Sequence, residues 1–207
     1  MLALSQKFDQ AAKRMDTLTP QDIRLQQPSL WQRTPPTPQS GPPISYARIF
    51  DDPTLSMGVF LLPKGAQIPL HDHPGMTVLS KILVGKLHVT SYDMPREPVL
   101  MGGSTKLYCD MATEKIVSGE TPTLQLDPVH GNLHKFEALE DTAIFDILTP
   151  PYDDGQGRSC HYYEASTTPI DGKFELTEIM SPPPDLYIFT APYDGPRVKY
   201  KNSVKLG

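Results

Sequence analysis

Between Ile44 and Ala165 the chain consists of short apolar runs broken by turn residues. ISYARIF, LSMGVFLL, TVLSKILV, KLHVTSYD, EKIVSG, TLQL, LHKFEAL, TAIFDIL and CHYYEA are rich in Val, Ile, Leu, Tyr and Phe, with Gly, Pro, Asp and Asn between them. β-Branched and aromatic side chains suit a pleated, half-buried surface, and Gly and Pro interrupt it. Many short strands with no helical pattern between them predict an all-β sandwich or barrel, with a jelly roll the best fit. The missing strand–helix alternation argues against a parallel α/β sheet. One further strand is expected around Leu186 to Thr190, followed by a solvated basic tail with Arg197, Lys199, Lys201 and Lys205.

Ahead of Ile44 the period changes. Leu4, Phe8, Ala11, Met15 and Leu18 recur at helical spacing, with Lys7, Asp9, Gln10 and Arg14 between them, which predicts an amphipathic helix. Thr19-Pro20-Gln21-Asp22 then reads as a cap, a proline at the first helical position and an acid in the first turn. A second short helix through Ile23 and Leu25 is expected. Residues 33–43, RTPPTPQSGPP, read as a stiff extended connector laid over the barrel; the competing reading is a ligand for a proline-reading domain. The expected organisation is residues 1–43, helices and connector packed on the barrel, and residues 44–207, the barrel domain itself.

At 207 residues the chain suits one domain with a full core. A net charge of -5 provides no basic field to attract nucleic acid or an anionic membrane. Cys109 and Cys160, its two cysteines, make no disulfide framework. No long apolar leader opens the chain and no stretch reaches transmembrane length. A monomeric protein with free thiols in the reducing cytoplasm is expected, with the nucleus also open to it.

The densest chemistry is Gly65-AQIPL-His71-Asp72-His73. Histidines two apart on a strand share a face, a good start for a transition-metal site. For a bare HxH, a surface pair is an equal alternative. Gly65, the HxH pair and Gly85 have the spacing of the first cupin motif, which also carries a carboxylate ligand four or five positions after the second histidine. Here Thr77 and Val78 stand there. Three neutral imidazoles would leave an Fe(II) its full charge and so favour an incoming anion, naturally a thiolate. Candidates for the third ligand are His88, His130, His134 and His161. GNLHKFEAL resembles the second cupin motif and points to His134. His88 reads as a plain strand histidine and His130 as a loop residue.

IPLHDHPGM, LDPVHGNLHKFEAL and DILTPPYDDGQGRSCHYY together closely resemble the thiol dioxygenases that include animal 2-aminoethanethiol (cysteamine) dioxygenase and the plant cysteine oxidases. The likeness runs from about Ile44 to Tyr163, echoes at APYDGPRV, and departs at the N-terminus and from Met94 to Ser118. It implies a cupin barrel (a double-stranded β-helix) with mononuclear Fe(II) on His71, His73 and His134. It also implies use of O2 to turn a thiol into a sulfinic acid. The implied substrates are proteins or peptides with N-terminal cysteine, or cysteamine, and in the former case the reaction reports oxygen through protein degradation. A dioxygenase for a free small thiol, and a non-enzymatic metal-binding cupin, are the rival readings.

Around that site four further features bear on function. Asp146 is the lone acid of an apolar strand, AIFDIL, where a buried carboxylate needs a partner or a task; the resemblance favours orienting a ligand histidine or receiving the substrate's ammonium group. Tyr152 follows two prolines that can aim it into the barrel mouth, where its hydroxyl could meet O2 or substrate; an aromatic plug is the equal alternative. Asp153, Asp154, Gly155 and Gly157 read as a solvated turn, with recognition of a positive N-terminus the alternative. Cys160 and Tyr162 share a face, with His161 pointing away; packing is the default for that pair, and oxidative joining is an alternative.

Overall fold

The computed structural model describes residues 2–25, 41–97, 99–101 and 104–198. Lys199, Lys201 and Lys205 and all of the connector but its last three residues therefore lie outside the described residues. Two curled sheets face each other, the barrel expected of a cupin. One runs β14 (Ile188–Ala191), β1 (Ile44–Asp51), β2 (Ser56–Leu62), β11 (Thr142–Thr149), β4 (Thr77–Val84), β9 (Leu124–Leu126). The other runs β6 (Val99–Met101), β7 (Ser104–Cys109), β13 (Phe174–Ile179), β12 (Tyr162–Ala165), β3 (Gln67–His71), β10 (Leu133–Ala138), β5 (Lys86–Tyr92), β8 (Met111–Ser118).

Alternation along the strands sorts the side chains into layers. Ile44, Leu62, Ile82 and Ile144 meet Ile68, Leu87, Val89, Val117 and Phe136 in the space between the sheets. The opposite face of the first sheet, Val59, Leu61, Leu79, Leu83, Ala143 and Phe145, is covered by helix α1 (Leu2–Met15) through Phe8, Ala11, Ala12 and Met15. Asp16 then ties that helix to the barrel, its carboxylate accepting from the Thr123 amide and hydroxyl, both at 2.6 Å. Burial of an amphipathic face, not intrinsic propensity, therefore holds α1 in place.

Among the described residues, which stop at Leu25 here, the second helix is not formed. Asp22 does close a cap, accepting from the Thr19 amide at 2.8 Å and hydroxyl at 2.7 Å. The chain then makes only linked turns and leaves them at Arg24, with φ of 52°. One turn gains too few hydrogen bonds to offset helix nucleation. The last strand is displaced too: β14 starts at Ile188 and pairs in parallel with β1.

Two glycines are required by their surroundings. Gly85 joins β4 to β5 at φ 80°, and a Cβ there would run into the Asp141 carbonyl. Gly58 lies opposite Asp146, and a Cβ there would strike the Tyr46 ring. That ring packs against Phe60 with centroids 4.6 Å apart. Gly58 thus lets an aromatic layer close one side of the barrel interior.

Candidate metal centre

Strand register brings the first pair of histidines together: His71 on β3 lies directly opposite His134 on β10. The next pair in the ladder is Ile68 with Phe136, so β3 spends one residue more than its partner. This bulge falls at Pro69-Leu70. A proline has no N–H for the ladder and is tolerated at a bulge. The Pro69 carbonyl accepts from His71 Nδ1 at 2.8 Å, so the ring's Nε2 is left as the free lone pair.

His73 lies beyond the end of β3, in the turn that follows, so the two imidazoles converge without sharing a strand. The turn is clamped instead. Asn132, fully buried, accepts from the His73 amide at 3.0 Å and donates to the His73 carbonyl at 2.9 Å. Its second amide hydrogen reaches the Asp127 carbonyl at 2.8 Å. Tyr152 holds the ring: its hydroxyl donates to the Asp72 carbonyl at 2.7 Å and accepts from His73 Nδ1 at 2.9 Å, with the rings stacked at 5.3 Å. With Nδ1 engaged on His73 as on His71, Nε2 is left as the ligand nitrogen of each ring.

The three ring centroids form a nearly equilateral triangle, 4.9, 4.7 and 4.9 Å on its sides. One ligand atom from each ring lies within 4.8 Å of the others, and Nε2 of His73 is 3.1 Å from Nε2 of His134. Two imidazole nitrogens about 2.1 Å from a first-row metal ion, at right angles, would stand about 3.0 Å apart. The geometry therefore fits one ion. All three rings are buried, and desolvation lowers their pKa values, those of His73 and His134 far below the ordinary range. Neutral imidazole is the form that binds metal. Where the cupin motif has its carboxylate, buried Val78 instead lines the cavity.

The cavity above the triad holds about 270 Å³. Its walls are mostly apolar, with Phe60, Ile68, Phe136, Leu148 and Ile188. Asp146, Tyr152, Cys160 and Tyr162 supply the polar groups, and among the described residues no lysine or arginine lines it. Asp146 makes no hydrogen bond to any histidine among the described residues, so of its two expected tasks only the reception of substrate keeps a geometric basis. Ser80 hydrogen-bonds the carboxyl, while Oδ1 is buried with no partner. Desolvation raises its pKa to about 7. The Cys160 thiol hydrogen-bonds both Tyr152 and Tyr162, and burial pushes it up to about 11. Cys109 is buried away from the cavity, and burial pushes its thiol up to about 12. A second cavity of about 310 Å³, between β4, β9, β8 and β5, shares Val78, His134 and Phe136 with the first.

The remaining candidates fall outside the site. His88 sits half-buried beside Glu114 at 3.4 Å, and exposed His130 is bound to Asp127 at 2.9 Å. His161 points away from the cavity to Asp72. The Asp153–Gly157 segment closes a small hairpin through Asp153 and Arg158. Asn132 and Ser80 were missed from the sequence, since a polar residue beside a motif carries no periodic signal.

Fold and site together define a cupin with a three-histidine metal centre. The chain belongs to the PCO_ADO family, whose model matches residues 15–198. It is 34% identical to plant cysteine oxidase 1 of Arabidopsis thaliana over 163 residues, covering 76% of this chain and 54% of that protein. It is also 34% identical to human 2-aminoethanethiol dioxygenase over 193 residues, covering 79% of this chain and 71% of that one. These relatives make the family one of thiol dioxygenases. Among solved structures, KdgF from Halomonas sp. is similar at 20% identity and a TM-score of 0.39, covering 55% of this chain and 84% of that one. Among the described residues no helix is long and apolar enough to cross a membrane.

Proposed function

We propose that the protein is an Fe(II)-dependent dioxygenase that uses O2 to oxidise the thiol of N-terminal cysteine in peptides and proteins, or of cysteamine, to a sulfinic acid. The observation that carries this reading is the cavity itself: three neutral histidines at its floor, one carboxyl in its wall and, among the described residues, no lysine or arginine. His71, His73 and His134 would hold the iron. When bound, Fe(II) supplies the redox chemistry that lets O2 react with a thiolate, and both oxygen atoms end on sulfur.

The chain's own residues handle the rest. With no protein carboxylate among the ligands, the centre keeps its positive charge and favours thiolate over thiol. Asp146 accepts the substrate's ammonium through the oxygen that has no partner among the described residues, and that cation holds it ionised. Tyr152 fixes His73. The apolar walls exclude water and orient a small head group. Free cysteine carries a carboxylate for which this cavity has no counter-charge. N-terminal cysteine in a peptide, and cysteamine, carry none beside the amine. We take the protein to be a cytoplasmic monomer that reports oxygen by marking proteins for degradation.

A substrate panel tests this reading. Iron-loaded protein should consume O2 with a Cys-initiated peptide and with cysteamine, and at least about tenfold more slowly with free cysteine. Preference for free cysteine would overturn the role given to the cavity's charge. Zinc retained as purified, with no O2 uptake on any thiol after iron loading, would establish a non-enzymatic metal-binding cupin.

A further inference from the structure

Asp72, between the two histidines of the first motif, has a use that the reaction does not account for. Its side chain is only 4% exposed and points away from the triad, toward the residues that enter β12. Oδ1 accepts from the His161 amide at 2.8 Å. Oδ2 accepts from His161 Nδ1 at 2.9 Å and from the Tyr163 hydroxyl at 3.0 Å. The Asp72 amide in turn donates to the His161 carbonyl at 3.2 Å, and its own carbonyl accepts from Tyr152. One residue thus ties together the histidine turn, the tyrosine that fixes His73, and the segment that carries Cys160 and Tyr162 into the cavity wall.

This clamp bridges a weak point of the barrel. β12 pairs with β3 only through Tyr162 and His71, and the turn bearing His73 has left the sheet. Ladder hydrogen bonds hold β12 along its whole length to β13, but they scarcely join it to the histidine strand and do not reach the turn. A buried carboxylate accepting three donors is a strong, directional restraint, and alternation along the chain then turns Cys160 and Tyr162 to the side opposite His161.

We propose that Asp72 is a positioning residue: it docks residues 160–163 against the histidine turn and thereby sets both the metal geometry and one wall of the thiol cavity. The substrate half of this statement rests on the thiol dioxygenase reading above; the metal half does not. Removing the carboxylate frees the turn and the wall together, although its hydrogen bonds run to His161 and Tyr163 and not to the metal ligands' rings.

The test uses the full chain loaded with Co(II), whose visible spectrum reports ligand geometry without any turnover. Asp72→Ala should change that spectrum, weaken Co(II) binding by about tenfold, and lower kcat for a Cys-initiated peptide in the iron-loaded form. Asp72→Asn keeps an acceptor for the His161 amide and should restore the native spectrum and bring affinity back to within about threefold. If Asp72→Ala does not fold, Tyr163→Phe removes one donor while keeping the packed ring, and should shift the spectrum in the same direction by less. A native spectrum and native Co(II) affinity in a folded variant with only a lowered Tm would reduce Asp72 to a structural residue and overturn the proposal. Because the cobalt readout is independent of thiol chemistry, an iron-loaded protein inactive on every thiol would refute the functional reading without touching this one.

Discussion

Replacing Asp146 by Asn should make the metal-free protein more stable and the loaded protein less active. The carboxyl is fully buried, and desolvation raises its pKa from 3.8 to about 7. In the unfolded chain it loses its proton near pH 4; in the folded chain it keeps it until about pH 7. Between these values the native state binds more protons than the unfolded state, so stability falls as pH rises. For this group a shift of about three units corresponds to about 4 kcal/mol of stability, fully present below about pH 4 and fully lost above about pH 7. Asn does not titrate. Burying an amide with incomplete partners costs about 2 kcal/mol of its own, which leaves a net gain of about 2 kcal/mol at pH 7. For a chain of this length that raises Tm by roughly 4–8 °C. Chemical denaturation of metal-free native and variant protein at pH 5 and pH 7 checks both the gain and its pH dependence. With the ion in place the gain should shrink, because a divalent cation in the same cavity favours the ionised carboxyl. Equal stability of the two proteins at pH 7, or a gain no larger at pH 7 than at pH 5, would refute the reasoning; the comparison is between the two proteins because the three buried histidines, whose pKa values are lowered, add stability to both as pH rises.

Tyr152→Phe keeps the ring stacked on His73 but removes the hydroxyl that holds Nδ1; metal affinity, followed by competition with a chelator, should fall roughly tenfold. Gly85→Ala forces a side chain onto a residue at φ 80° and into the Asp141 carbonyl, and should cost about 2 kcal/mol or more by urea denaturation. Lys81 is buried and donates to the carbonyls of Gly119 at 2.9 Å and Thr121 at 2.8 Å. Lys81→Met leaves both acceptors short of a donor and should lower stability by about 2 kcal/mol while leaving Co(II) affinity unchanged.

Legibility from the sequence followed the physical signals available. The strands with clean apolar runs, from ISYARIF to TAIFDIL, stand where the pattern puts them. FELTEI (β13) and STKLYC (β7) went unread because half their positions face solvent or carry polar groups, although Leu107 and Leu176 are buried. His71 and His134 could be paired by motif because register fixes them across one ladder. The bulge at Pro69 and the departure of His73 from the strand could not be read, since both depend on the partner strand. Asp146 announced itself as a single acid in an apolar strand. Asp72, by contrast, was hidden between two histidines, and its partners His161 and Tyr163 lie some ninety residues away. Nothing in local sequence reports a hydrogen bond closed over that distance. After Thr19 the local signals for a cap were right, yet the described residues leave the helical turns at Arg24.

The central claim, a thiol dioxygenase on three histidines, is tested most directly with isotopically labelled O2. Iron-loaded protein and a Cys-initiated peptide, mixed under labelled O2 in unlabelled water, are analysed by mass spectrometry beside a His134→Ala control. The account predicts two labelled oxygen atoms on the cysteine sulfur of the native reaction and none in the control. One labelled atom with one from water, an unmodified peptide, or full labelling by His134→Ala would contradict it.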